Sequence, residues 1–245
     1  VTIRWKACVV ATSTSSKLNE VSIDQLQQSG WEDILVYAPR GARLSDRHDV
    51  ALCRCNNVSI KDQNCDYQMV YTALDAVITA SMRDTTFIVV AKPGVFCWEQ
   101  LQHYCESQLE PSRLAVYCFN TPNLLFDSER CRRPEPYNGD GFYRIAVKDR
   151  LLAADFFVLT PATAKVLLAI LPNVEKEDHT KAEAFNTFAH ALGNAAFNMR
   201  SLELYYHMRS LVRTHGAPCD DFVGVSYVMP NKELNEIKDL NVWKA

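Results

Sequence analysis

Apolar residues fall into two spacings along this chain, and their alternation predicts the architecture. Unbroken or nearly unbroken runs occur at residues 3–10, 34–37, 87–91, 114–119 and 151–159. Runs of this length suit strands, and the run from Phe87 to Ala91 suits a strand covered on both faces. Between the runs, apolar residues recur three and four apart, as on one face of a helix. Leu18, Val21, Ile23 and Leu26 form the first such stripe. Tyr67, Val70, Tyr71, Leu74, Val77 and Ile78 form the second, and Trp98, Leu101, Cys105 and Leu109 the third. Residues 162–171 predict a fourth helix, and Phe185, Phe188, Ala189 and Leu192 mark a fifth. Short strands are expected late in the chain at 202–206, 210–212 and 223–228, and residues 41–66 read as irregular and polar.

Punctuation agrees with this pattern. Gly30 caps the first helix, Pro39-Arg40-Gly41 ends the second strand, and Pro111 follows the third helix. Thr160-Pro161 supplies an N-cap and a first-turn proline. Thr180-x-x-Glu183 reads as a capping box opening the fifth helix, which Gly193 is expected to end. The strand at 87–91 stops at Lys92-Pro93-Gly94, where a missing backbone donor and a glycine force the chain to turn. Strands alternating with helices predict an α/β fold, a single Rossmann-like domain whose mostly parallel central sheet is flanked by helices. No linker divides the chain. The expected domain spans 1–230, with a first half at 1–122, a second at 123–230, and a polar tail at 231–245.

Composition narrows the function classes. The 245 residues are 48% hydrophobic and 22% charged, ordinary for a globular chain with a full-sized core. A net charge of −3 makes no electrostatic case for a nucleic-acid binder. No run approaches the roughly 20 apolar residues of a membrane helix, so no membrane span is expected. The chain opens on Val1, which leaves processing, trimming or excision from a larger protein open. Nine cysteines, several inside apolar runs, point to a reducing, cytoplasmic compartment, while the sequon Asn57-Val58-Ser59 points the other way. Cys53-x-Cys55 with Cys65 matches no common zinc spacing.

Candidate chemistry gathers at strand ends, because ligands of open α/β sheets collect outside the carboxyl ends of the strands. After the first strand, Ala11 to Ser16 presents hydroxyls and backbone N–H groups where an anion or a base edge could dock, or it merely caps the helix. Residues 127–142 carry Arg130, Arg132 and Arg133 on a long loop, suited to phosphate or simply solvated. Asp155, alone in an apolar run, needs a partner or an exposed strand end. Glu183 is explained by its capping box as readily as by catalysis, and His207 is expected near the end of a strand.

The order of these segments resembles that of GT-A type nucleotide-sugar glycosyltransferases. Residues 9–18 with 26–31 are similar to the family's opening strand, donor loop and helix-to-glycine-aromatic turn. Residues 87–97 resemble its buried strand, 116–122 the next strand and Thr-Pro turn, 156–168 the acceptor-side strand and helix, and 205–216 the closing segment. The resemblance implies a GT-A fold and transfer of a sugar from a nucleotide-sugar donor to an acceptor hydroxyl on a glycan, protein, small molecule or modified nucleic acid. Thr12, Ser13, Thr14, Arg40, Lys92, Gly94 and His215 are the donor-binding positions it implies, and Glu183, Asp178 and Lys92 the catalytic ones. Glu183 or Asp178 would deprotonate the acceptor.

The family usually holds Mn²⁺ or Mg²⁺ through an Asp-x-Asp pair on the turn that here reads Ala91-Lys92-Pro93-Gly94. A charged lysine cannot ligate a hard cation, and proline and glycine offer only carbonyls. No cofactor is therefore fixed by the residues. Lys92 could supply positive charge beside a diphosphate without a metal, or lie on a degraded turn in a catalytically inactive GT-A-fold binding or scaffolding module.

Overall fold

The computed structural model describes residues 2–13, 15–59, 66–119, 141–144, 154–170, 188, 192–193, 195–196, 199–208 and 210–214. They form an eight-stranded sheet between two helical layers. In chain order the elements are β1 (Trp5–Val10), α1 (Ser16–Gln28), β2 (Ile34–Arg40), β3 (Ala51–Ser59), α2 (Asp66–Ala80), β4 (Phe87–Ala91) and β5 (Val95–Cys97). Then follow α3 (Leu101–Gln108), β6 (Ala115–Cys118), β7 (Gly141–Arg144), β8 (Phe156–Leu159), α4 (Pro161–Ile170), β9 (Glu203–Met208) and β10 (Val212–Thr214).

The sheet order is β3-β2-β1-β4-β8-β6-β9-β7, with β5 and β10 forming a separate antiparallel pair. Only β8 and β7 run against the rest, so the sheet is mixed but mostly parallel, as the alternation of elements predicted. At its centre lies β4, flanked by β1 in parallel and β8 in antiparallel register, and each of its five residues is 0% exposed. That double cover explains the unbroken apolar run. Residues alternate between two cores. Ile88 and Val90 pack with Val70, Leu74, Ala164 and Leu167 from α2 and α4. Phe87, Val89 and Ala91 pack with Ile23 and Leu26 from α1 and Leu101 and Cys105 from α3.

Several elements differ from the sequence reading. Residues 51–59 form a strand instead of an irregular segment. As the terminal strand of the sheet, β3 has a single neighbour and little cover, so it needs no apolar run to hold its place. Pro39 lies within β2 and not beyond it. Pairing with β1 ends at Tyr37, so at Pro39 only the β3 side is paired and the missing N–H leaves no gap on β1. The small strand β5 was not expected, and the strand placed at 210–212 instead spans Val212–Thr214, where it pairs with β5. Gly193 does not end its helix: the described residues on both sides of it are helical. Residues 223–228 and the tail lie outside the described residues.

The connection from β2 to β3 is an extended strap across α1. The Glu20 carboxylate accepts from the backbone N–H of Ser45, and the Arg47 guanidinium grips Asp24, Gln27 and, through two nitrogens, Asp49. Those hydrogen bonds hold the Asp49 carboxyl well below the usual carboxylate range. Glu20, Asp24 and Gln27 share one helical face, so the helix acts as the strap's template.

Cys8, Cys97, Cys105 and Cys118 are fully buried free thiols. Burial pushes Cys8 and Cys118 up to about 12, and moves Cys97 and Cys105 upward as well. Of the six cysteines among the described residues, iodoacetamide at pH 8 should therefore label the half-buried Cys53 and Cys55 first, and the other four only on unfolding, as peptide mass spectrometry would show. The folded state keeps those four thiols protonated where unfolded thiols near their usual 9.0 ionise. Their contribution to stability is complete below pH 9 and falls as pH rises above it. Among the described residues no helix is long and apolar enough to cross a membrane.

Candidate functional site

The strand order places a switch point beside β4. From β1 the chain steps outward to β2 and β3, then returns through α2 to the opposite side of β1. The loops leaving β1, β2 and β4 meet beside the amino-terminal half of α1, on the face of the sheet that α1 and α3 cover, at the carboxyl ends of the strands. Five sequence-predicted residues lie at these strand ends within the described residues: Thr12 and Ser13 after β1, Arg40 as the last residue of β2, and Lys92 with Gly94 after β4.

A polar stripe on α1 joins the three loops. Asn19, Ser22 and Gln25 are 0–3% exposed although polar. The Asn19 amide donates to the carbonyls of Ser13 (2.9 Å) and Arg43 (2.8 Å), tying the β1 loop to the start of the strap. The Ser22 hydroxyl donates to the Lys92 carbonyl at 2.7 Å and accepts from the Val95 N–H at 2.9 Å. The Gln25 side-chain oxygen accepts from the Cys97 N–H at 3.2 Å, and the Leu18 carbonyl accepts from the Gly94 N–H at 2.9 Å. The turn thus takes its shape from the side of a helix.

The helix that carries this stripe is well bounded. Ser15 caps it by accepting from the Leu18 N–H at 3.5 Å, and Gly30 leaves it with φ of 106°. Gly94 has φ of 73°, the left-handed conformation that a side chain resists. Gly94→Ala should cost roughly 1–2 kcal/mol in urea unfolding.

Lys92 and Asp155 meet across the turn. Asp155 directly precedes β8, which pairs antiparallel with β4 so that Phe156 lies opposite Ala91. The Lys92 N–H donates to the Asp155 carbonyl at 2.9 Å, and the Lys92 ammonium lies 3.1 Å from Asp155 Oδ2. Thr214 of β10 donates its hydroxyl to the same carboxylate oxygen at 3.0 Å. Asp155 is 5% exposed, and its Oδ1 is buried without a hydrogen-bond partner. The partner that the sequence demanded for Asp155 is thus Lys92 itself. The ammonium is directed at a carboxylate instead of standing as an isolated charge on the turn.

These residues do not suit a hard divalent cation. Such an ion takes six or more oxygens, and here one carboxylate already faces an ammonium and a hydroxyl. Among the described residues no three His, Cys, Asp or Glu side chains gather as a metal site. Asp178, Glu183, His215, Thr14 and Arg130, Arg132 and Arg133 lie outside the described residues. His207 sits in β9, 2% exposed, with its Nε2 2.6 Å from the Tyr104 hydroxyl.

Sequence reasoning missed Asn19, Ser22, Gln25 and Thr214. A faint signal existed for the first two, since Asn19 and Ser22 share the helical face of Ile23 and Leu26, where apolar residues belong. Thr214 gave no signal, because its role depends on β10 folding back onto β5.

The fold defines an open α/β protein with a mostly parallel sheet flanked by helices. No family model and no curated protein matches the chain. Two solved structures of S. aureus TarS are similar to it. Residues 1–349 of TarS align with a TM-score of 0.43 and 8% identity, covering 83% of this chain and 60% of that one. A second TarS structure aligns at 0.44 and 8%, covering 83% of this chain and 36% of that one. The chain therefore spans less than two thirds of either, and a likeness at this level carries no inference about ligand or activity.

Proposed function

We propose that this chain binds a nucleotide-sugar across the carboxyl ends of β1, β2 and β4 and transfers its sugar to an acceptor hydroxyl. The observation that carries this reading is the Lys92–Asp155 pair, set on a turn held by α1 at the switch point. In sugar transfer the departing diphosphate gains negative charge, and a fixed cation beside it stabilises that charge more in the transition state than before. Lys92 supplies this cation, Asp155 and Thr214 orient it, and the amino end of α1 adds the positive end of its dipole. Lys17, Arg40 and Arg43 are exposed and make no ion pair among the described residues, so they can meet the same anion. Thr12, Ser13 and Thr14 line the β1 loop in this reading, His215 adds a further contact to the diphosphate, and Glu183 or Asp178 accepts the acceptor's proton.

The same pair favours a second reading, a GT-A-like binding module without turnover. An ammonium already matched by a carboxylate offers an incoming anion less net charge than a lone lysine would.

Thermal shift and calorimetry with nucleoside diphosphates, followed by turnover of a nucleotide-sugar panel with EDTA or Mn²⁺, separate the two. Transfer that resists EDTA, with Lys92→Ala binding about tenfold to a hundredfold weaker, is the expected result. Diphosphate binding without turnover of any donor selects the module. If no nucleoside diphosphate raises Tm even at several millimolar, both readings fail, because a ligand of the native state must stabilise it.

A further inference from the structure

The outer edge of β3 is built to be read by another chain. This strand terminates the sheet; Ala51 to Cys55 pair with β2 in regular register before a shift that brings Ser59 opposite Arg40, and the outer backbone groups of that regular stretch face no strand among the described residues. Edge strands are usually short, or protected by lysine, proline or a covering element. Here the first seven residues include no proline and no lysine, and Arg54 is their one charge. They are exposed or half-buried. Leu52 is 46% exposed, one of two large apolar side chains so exposed among the described residues.

Alternate residues of this segment line a cleft. Val50, Leu52 and Arg54 form one wall, Ile23 of α1 and Val36 of β2 contribute apolar floor, and the strap closes the other side. The opposite residues, Cys53 and Cys55, pack toward the α2 core, so the cleft lies on the α1 face alone. Its far wall is fixed in advance, since the strap is held to α1 by the Arg47 and Ser45 contacts. The cleft carries Asp46, Arg47 and His48 on the strap side and Arg54 on the β3 side, and the two arginines have different duties. Arg47 spends its guanidinium on Asp24, Gln27 and Asp49, whereas Arg54 makes no ion pair among the described residues.

We propose that β3 binds an extended acidic segment of a partner protein by strand addition. Main-chain hydrogen bonds to the free edge supply affinity, and side chains at alternate positions supply specificity. The residue opposite Leu52 is apolar and packs against its exposed side chain, and the residue two places along is Asp or Glu and meets Arg54. The partner's signature is therefore an apolar residue and a carboxylate separated by one position within a β-prone stretch. This proposal is independent of the sugar-transfer reading, since the edge lies beside the cleft under the strap and not at the Lys92 turn.

The test uses a fluorescent synthetic peptide of alternating threonine and valine, with one isoleucine and a glutamate two positions away. Fluorescence anisotropy should give micromolar binding to the intact protein. Leu52→Lys should abolish it without changing the circular dichroism spectrum, because Leu52 is exposed. Arg54→Glu should weaken binding about tenfold and restore it for a peptide carrying lysine in place of glutamate. N-methylation of the peptide amides on one edge should also remove binding. Absence of binding at about 1 mM peptide would overturn the proposal, as would binding indifferent to Arg54→Glu and to N-methylation. A dimer in sedimentation that Leu52→Lys dissociates would assign the edge to a second copy of this chain, and likewise overturn it.

Discussion

Asp155→Ala is expected to destabilise the protein by about 3 kcal/mol, a fall in Tm of roughly 6–12 °C for a chain of this size. Truncating one partner of a buried ion pair leaves the other charge uncompensated, which costs about 3–5 kcal/mol in general. Two features place Asp155 at the low end. Its Oδ1 is buried and unpartnered, so the native carboxylate already carries a penalty that alanine removes. The Lys92 side chain is 16% exposed, so the stranded ammonium can regain some water. Lys92→Met combined with Asp155→Leu should recover most of the loss, because a pair of apolar residues carries no desolvation cost. Urea unfolding of the single and double variants measures both effects. A loss under about 1 kcal/mol for Asp155→Ala would mean that the pair is not held out of water.

Ser22→Val should rank next, with a loss of about 2–4 kcal/mol. Valine has nearly the shape of serine plus one methyl group, yet it can neither accept from the Val95 N–H nor donate to the Lys92 carbonyl. Both groups are shielded from water at a position where Ser22 is 0% exposed. The extra methyl adds crowding. If the turn is shaped by α1, the same variant should also weaken nucleoside diphosphate binding, whereas Cys105→Ala, a core change away from the turn, should lower stability and leave affinity unaltered. Equal affinity in Ser22→Val and the parent would show that the turn keeps its form without the helix.

Much of the scaffold was legible along the chain. Apolar runs marked β1, β4 and β6, and helical spacing marked α1 and α2, because a strand or helix buries a face whose period is written in consecutive residues. The turn at Lys92 was legible for a similar reason, since proline and glycine restrict the backbone locally. Two other elements were not. β3 escaped because an edge strand with one covered face needs few apolar residues, and β5 because three residues carry too little period to read. Gly193 misled because a glycine inside a helix costs only about 1 kcal/mol, which packing of neighbours such as Leu192 and Ala195 offsets.

The candidate site divides along the same line. Lys92, Gly94, Thr12 and Ser13 could be singled out because strand ends are where an open α/β sheet gathers its ligands, and strand ends are local features. That Lys92 faces Asp155 depends on β8 entering antiparallel between β4 and β6, an arrangement set by the whole sheet. Thr214 joins them only because β10 pairs with β5, and Ser22 shapes the turn only because α1 packs beside it. Hydrophobic period and turn chemistry act between near neighbours, so the sequence by itself determined most of the strands and helices, β3 and β5 apart, and the sharp turn after β4. Pairing between segments far apart is selected by the collective burial of both cores, so the tertiary structure alone decided that the lysine after β4 would be matched by a buried carboxylate.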